Sequence, residues 1–223
     1  AIVNFSDIYA MNGDVTQITV SIALSNRFSI EAVDEIYKGI HKACELYQVD
    51  LVGGDTTSST SGLIISITAI GEVQKEEIVY RSGANENDLL VVSGDLGGAY
   101  MGLQVLEREK LVYKDNPEMQ PQLEGVDYIL ERQLKPEARK DIVHYLKELG
   151  IKPTSMIDVS DGFFLDLQRV CKASNLTAEI SLSKIPISLE AKKHLQENSK
   201  INIFDLLSGG EDYELIFTVN KKN

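Results

Sequence analysis

The chain alternates short apolar runs with polar turns, and the period of the runs changes along it. Residues 14–24 (DVTQITVSIAL) alternate and then run apolar, which predicts a strand. Ser29 is placed to cap a helix starting at Ile30, with Ala32, Val33, Ile36, Ile40, Ala43, Cys44 and Tyr47 on one face. A strand at 49–53 then runs into a Gly-Gly-Asp turn, and a further strand is predicted at 63–73 (LIISITAIGEV). The opening segment, AIVNFSDIYAM, reads as a strand. The resulting β–α–β–β order fits an α+β half-domain.

Residues 74–87 (QKEEIVYRSGANEN) are polar and turn-rich, so a domain boundary is placed there, with domains at 1–78 and 79–223. The second part opens with a strand at 88–93 and a glycine turn, GDLGG, leading into a helix at 99–107. A loop rich in Asn, Pro and Gln at 114–125 precedes helical residues 126–148, broken near Pro136. A strand at 154–159 leads through Ser-Asp-Gly into a helix at 162–173. A strand at 178–182, a short helix at 188–197, a GGEDYE turn and a strand at 214–219 follow. No repeat or low-complexity segment interrupts this order.

Composition narrows the function. The 223 residues are 43% hydrophobic and 25% charged, ordinary for a globular protein, and no apolar run is long enough to span a bilayer. A net charge of −12 without a basic patch argues against nucleic acid and anionic membranes as partners. No basic n-region followed by an apolar h-region is seen, so no secretory signal is expected, and Cys44 and Cys171, each inside an amphipathic helix pattern, read as buried free thiols of a cytoplasmic protein. His41, His144 and His194 have no zinc spacing and flank no nucleophile, which argues against a Ser–His or Cys–His enzyme.

The informative residues are acids at the ends of apolar runs. They are Asp7 in NFSDIYAMN, Asp55 in VGGDTTSS, Asp158 and Asp161 in MIDVSDG, and Glu211 with Asp212 in SGGEDYE. Singly, each has a plain structural reading. Asp161 could cap the helix after it, Asp55 could close an Asx-turn, and the glycines could be tight-turn residues. Together they carry more. Strand-end turns often converge on one cleft, and carboxylates that converge need a cation between them. Magnesium suits such oxygen ligands and completes its shell with water and substrate phosphates. Glycine backbone can approach a phosphate closely. The pattern points to a Mg²⁺-dependent phosphate enzyme that lacks a P-loop, a G-x-G-x-x-G fingerprint and the protein-kinase motifs. GDLGGAYMG reads as a strand-to-helix turn.

NFSDIYAMNG, VDLVGGDTTSS, ITAIGEV, YRSGANENDLLVVSGDLG, IDVSDGF and GGEDYELIFT occur in that order and cover essentially the whole chain. Together they resemble the thiamine-monophosphate kinase family, of the aminoimidazole ribonucleotide synthetase-like (PurM-like) superfamily. The resemblance implies a two-domain α+β architecture: an N-terminal ATP- and Mg²⁺-binding α/β half-domain with a mixed or antiparallel sheet, and a C-terminal α+β sandwich. It implies direct in-line transfer of the γ-phosphoryl of ATP to thiamine monophosphate, giving thiamine diphosphate and ADP, with several Mg²⁺ ions. The acceptor is already an anionic oxygen, so positioning and charge neutralisation outweigh general-base chemistry.

Matched by motif, the resemblance implies that Asp7, Asp55, Asp158 and Asp161 are metal ligands. Tyr37, Gly54, Asp55, Arg81 and Ser160 would contact ATP, and Glu211 would read the thiamine moiety. Asp55 and Asp161 would be the residues most directly tied to catalysis. Tyr37 has a second reading as a half-buried helix tyrosine and Arg81 as a surface arginine. The resemblance also implies a homodimer paired through the N-terminal strands. The family's N-terminal Gly-Asp-Asp metal loop and its aromatic residue beyond the last strand match nothing here, and the chain is expected to be truncated at both ends. The alternatives are another ATP-dependent enzyme of the superfamily, of the selenophosphate or aminoimidazole ribonucleotide type, and a non-catalytic nucleotide- or metal-binding homologue.

Overall fold

The first element departs from the sequence reading, and the reason is periodicity. Phe5 and Tyr9 lie one helical turn apart, and the segment forms helix α1 (Ile2–Tyr9) rather than a strand. Both rings are buried, and both meet the ring of Tyr47, with centroids 5.4 and 6.2 Å away. The structure, a computed structural model, describes residues 1–197 and 201–222. The chain divides into two units, Ala1–Ile78 and Val79–Asn223.

In the first unit, β1 (Asp14–Leu24) is the central strand of a mixed three-stranded sheet. It pairs in parallel with β2 (Asp50–Ser58) and antiparallel with β3 (Leu63–Glu72). A register shift between Val15 and Gln17 lets Val15 and Ile18 both be buried before the alternation continues at Val20 and Ile22. Helix α2 (Ile30–Tyr47) crosses between the parallel strands; of the predicted face Ile40, Cys44 and Tyr47 are buried and Ala32, Val33, Ile36 and Ala43 half-buried. Ser29 caps it by accepting from the Ala32 N–H at 3.3 Å.

The Gly-Gly-Asp segment is not a turn. Strand β2 continues through it to Ser58. The register slips between Ile18 and Thr19, bringing β1 very close, and a Cβ on Gly54 would lie 1.8 Å from the Val20 carbonyl oxygen. Gly54 is thus required by strand packing, whereas a Cβ on Gly53 would meet open space.

In the second unit, β4 (Leu89–Val92), β6 (Leu215–Val219) and β5 (Ser155–Asp158) form an antiparallel sheet with β6 central. Its core joins Ile157 and Ile216 to residues from α3 (Gly98–Asp115), α4 (Asp127–Leu134), α6 (Phe163–Ser174), α7 (Leu189–Glu197) and α8 (Ile203–Leu207). Helix α5 is Lys140–Glu148, so the helical stretch breaks around Pro136 as the sequence predicts. Helix α3 runs eight residues past its predicted end, through good helix formers with a Glu107–Lys110 ion pair. The predicted strand at 178–182 is irregular and enters a 3-10 turn at Leu182–Lys184, for no strand pairs with it among the described residues. Helix α8 has a signal the hydrophobic pattern hides, a reciprocal capping box between Asn202 and Asp205.

Four acids are buried among the described residues of this unit, Asp158, Asp166, Asp212 and Glu214, and the last two lie close together in sequence. Asp212, 3% exposed, accepts from the N–H groups of Gly97 at 2.8 Å and Ala99 at 3.3 Å. It therefore fills the α3 N-terminus with the protein's own carboxylate, and GDLGG is a strand-to-helix turn, as read from the sequence. Glu214, 2% exposed, meets Arg132 at 3.0 Å, Arg139 at 2.5 Å and the Ser93 hydroxyl at 2.5 Å. Arg132 also donates to the Asp212 carbonyl at 2.8 Å. Burial pushes the Asp212 carboxyl up to about 6, against the opposing pull of the Gly97 N–H and Arg132.

Two outcomes are expected. Gly54→Ala will cost about 3 kcal/mol or more in denaturant unfolding, and Gly53→Ala less than about 1 kcal/mol. Equal costs would dissociate Gly54 from the strand approach. Folded Asp212 holds a proton that the unfolded chain has lost between its ordinary value of 3.8 and about 6, so its contribution to stability falls as pH rises through that window and is level above it. The stability of the wild type relative to Asp212→Asn will fall by about 2 to 3 kcal/mol from pH 4 to pH 6.5. A flat difference would show that the buried carboxyl does not titrate there.

Candidate active site

The pairing of β5 with β6 continues beyond both strands and joins two acidic turns. The Val159 N–H donates to the Glu214 carbonyl at 2.7 Å, and Val159 accepts from the Tyr213 N–H at 2.9 Å. One residue further out, the Glu211 N–H donates to the Ser160 carbonyl at 2.9 Å. The Ser-Asp-Gly and Gly-Gly-Glu-Asp-Tyr-Glu turns are thus held backbone to backbone. Gly210 makes the approach possible: its φ is +71°, and a Cβ there would lie 2.5 Å from the Ser160 oxygen.

This junction brings four residues singled out in the sequence onto adjoining turns. Asp158 is buried at the end of β5, Ser160 is half-buried, and Asp161 and Glu211 are exposed. Glu211 has a φ of +64° and Tyr213 one of +52°, a left-handed backbone that side chains other than glycine adopt at a cost of about 1 kcal/mol or more. The reward is orientation. The buried Tyr213 hydroxyl donates to Glu211 Oε2 at 3.0 Å and aims the carboxylate.

The sequence reading missed the residues beneath this turn. Asp166, fully buried on α6, accepts through Oδ2 from the N–H groups of Ser160 at 3.1 Å and Asp161 at 3.0 Å. Its other oxygen, Oδ1, accepts from Arg169 Nη1 at 2.6 Å. The same Nη1 lies 2.6 Å from Asp161 Oδ2. Burial raises the Asp166 carboxyl, while the Asp161 N–H and Arg169 oppose the rise. The reading of Asp161 as a side-chain cap for α6 is overturned. Gly162 stands at the N-cap without a side-chain bond, and Asp166 does the turn's hydrogen bonding. A signal was present in SDGFFLDLQR: an acid five residues after Asp161, then an arginine at i+3.

The first unit places its sequence candidates on separate elements. Asp7 is exposed on α1 rather than at a strand end. Tyr37 is half-buried on α2, its ring centroid 6.4 Å from that of His41. Gly54 and Asp55 lie inside β2, with Asp55 exposed and in register with Ser21, so Asp55 closes no Asx-turn. Arg81, in the second unit, is exposed in the irregular stretch before β4. Cys44 is buried and Cys171 half-buried, both free. Among the described residues no group of three or more His, Cys, Asp or Glu side chains is spaced to hold a metal ion. Nor is any helix among them long and apolar enough to cross a membrane.

The profile of the family described as AIR synthase related protein, N-terminal domain, matches residues 1–73. The thiamine-monophosphate kinase of Bacillus subtilis (strain 168) is 34% identical over 220 residues, covering 99% of this chain and 64% of that protein. The chain therefore spans less than two thirds of that relative's length. A solved structure of AaThiL complexed with AMPPCP and TMP superposes with a TM-score of 0.84 at 32% identity, over 99% of this chain and 66% of that one. The crystal structure of thiamine monophosphate kinase from Aquifex aeolicus gives 0.83 at 32% identity, over 99% of this chain and 70% of that one. With the whole chain aligned above 30% identity and the two acidic turns folded against each other, the chain belongs to the thiamine-monophosphate kinase family.

Proposed function

We propose that this chain transfers the γ-phosphoryl group of ATP to the phosphate of thiamine monophosphate, giving thiamine diphosphate and ADP. The observation that carries the proposal is the pairing of the Ser-Asp-Gly and Gly-Gly-Glu-Asp-Tyr-Glu turns, in a chain similar to a protein solved with AMPPCP and TMP. In this reading Glu211, aimed by Tyr213, receives the cationic thiamine moiety. Ser160 contacts the nucleotide, as do Tyr37, Gly54, Asp55 and Arg81.

Asp7 and Asp55 in the first unit, and Asp158 and Asp161 in the second, are assigned as Mg²⁺ ligands. The fit rests on donor chemistry. Every candidate donor is a carboxylate oxygen, which suits a hard cation that retains several waters. Asp161 already takes a cationic partner, and Asp55 is exposed beside Thr56, Thr57 and Ser58. When bound, Mg²⁺ neutralises phosphate charge. The chain's own contribution is positioning: the acceptor oxygen is anionic, so the protein has to hold two anions in line rather than remove a proton. A cytoplasmic location belongs to the same reading. So does a homodimer, for which the exposed Ile64 and Ile70, on one face of β3, offer apolar surface.

The test is ADP release by the chain with ATP and Mg²⁺, with and without thiamine monophosphate. Release that depends on thiamine monophosphate and yields thiamine diphosphate is expected, and Asp55→Asn will lower it by at least about a hundredfold with its unfolding midpoint unchanged. Nucleotide binding without such release would move the chain to another acceptor or to a binding role. Glu211→Ala will raise the KM for thiamine monophosphate about tenfold or more while changing that for ATP less than about twofold. Parallel increases in both would remove Glu211 from the acceptor side.

A further inference from the structure

We propose that Arg169 is an internal cation that holds the Asp161 carboxylate and that a divalent metal must displace it, with Asp166 as the fixed anchor on which the guanidinium remains. The inference rests on the reading of Asp161 as a metal ligand. Its geometry does not. One nitrogen, Arg169 Nη1, is 2.6 Å from Asp161 Oδ2 and 2.6 Å from Asp166 Oδ1.

The two carboxylates are not equivalent. The Asp166 side chain is 0% exposed and fixed by two backbone N–H groups, whereas that of Asp161 is 53% exposed. Separating Arg169 from Asp166 would leave a buried carboxylate without its cation, which is costly. Separating it from Asp161 returns an exposed carboxylate to water, which costs little. The guanidinium therefore has one firm partner and one exchangeable partner. A hard divalent ion carries twice the charge of the guanidinium and can bind the exposed oxygen directly. The exchange leaves the turn itself in place, because Asp166 still accepts from Ser160 and Asp161 through its other oxygen.

Two carboxylates and one guanidinium set the local charge. Asp161, Asp166 and Arg169 sum to −1, and removing the guanidinium makes that −2. Metal affinity at Asp161 is thus set partly by a residue that is not itself a metal ligand. Arg169 and Asp166 are positioning residues in this scheme.

The experiment is Mn²⁺ binding to the whole chain without nucleotide, followed by the electron paramagnetic resonance of free Mn²⁺. Arg169→Gln is expected to tighten binding about three- to tenfold, and Arg169→Lys, which keeps the charge, to stay within about twofold of wild type. Asp161→Asn will weaken binding, and adding Arg169→Gln to it will restore nothing. If Asp161→Asn weakens binding and Arg169→Gln does not tighten it, the displacement is wrong while the ligand role stands. If Asp161→Asn leaves binding unchanged, the ligand role falls and this inference with it. A readout in the wild type covers the case in which Arg169→Gln fails to fold. The Arg169 side-chain nitrogen resonances, identified by their loss in Arg169→Lys, will shift on adding Mg²⁺. No shift at saturating Mg²⁺ would overturn the proposal.

Discussion

The hydrogen bonds between Val159 and the 213–214 segment are the constraint from which the second unit's site follows. They extend a short sheet past its last paired residues and oblige two turns of unrelated sequence to run side by side. Each acid takes its environment from that register. Asp158 falls on the buried side, Asp161 on the exposed side, and Glu211 where the chain must adopt a left-handed backbone. The glycines are placed where the backbones come closest, so their absence of a side chain serves the junction before it serves any ligand.

The junction is held from behind by charges that are themselves expensive. Asp212 is buried at the start of α3, and Glu214 is buried between two arginines. Buried ion pairs seldom stabilise more than apolar packing of the same volume would. Their value here is in orientation. Arg132 reaches both the Glu214 carboxylate and the Asp212 carbonyl, which ties the turn carrying Glu211 to α4. Ser93 links β4 to the same point by donating to Glu214 and accepting from the Leu215 N–H. An apolar core would leave the turn free to rotate, whereas directional bonds fix one arrangement.

The sequence was legible where a local rule decides the outcome. The buried face of α2, its Ser29 cap and the strand at 14–24 all follow from periodicity and capping within one segment. It was misread where a distant partner decides. The segment 178–182 has strand-like residues but no ladder to join, and the glycines of β2 look like a turn until the close approach of β1 gives them another purpose. The acids at 158, 161 and 211 stand out because each follows an apolar run. Asp166 and Arg169 do not, since an acid and a base at i and i+3 on a helix usually form a solvated pair. Only the fold of the preceding turn shows that Asp166 faces inward.

That difference separates two kinds of acid in a chain with 34 Asp and Glu against 22 Lys and Arg. Asp166, Asp212 and Glu214 are buried and each is matched inside the protein, by backbone N–H groups, by arginines or by both. Asp7, Asp55 and Glu211 are exposed, and the excess of negative charge lies with acids of this kind. An excess carried at the surface is tolerable in water and becomes costly when a phosphate approaches. The metal ions of the proposed function would offset that cost. Arg169 occupies the boundary between the two classes, with one bond to a matched acid and one to an exposed acid. Arg139 has the same arrangement, between buried Glu214 and exposed Asp141, but Arg169 is the one whose exposed partner is a proposed metal ligand.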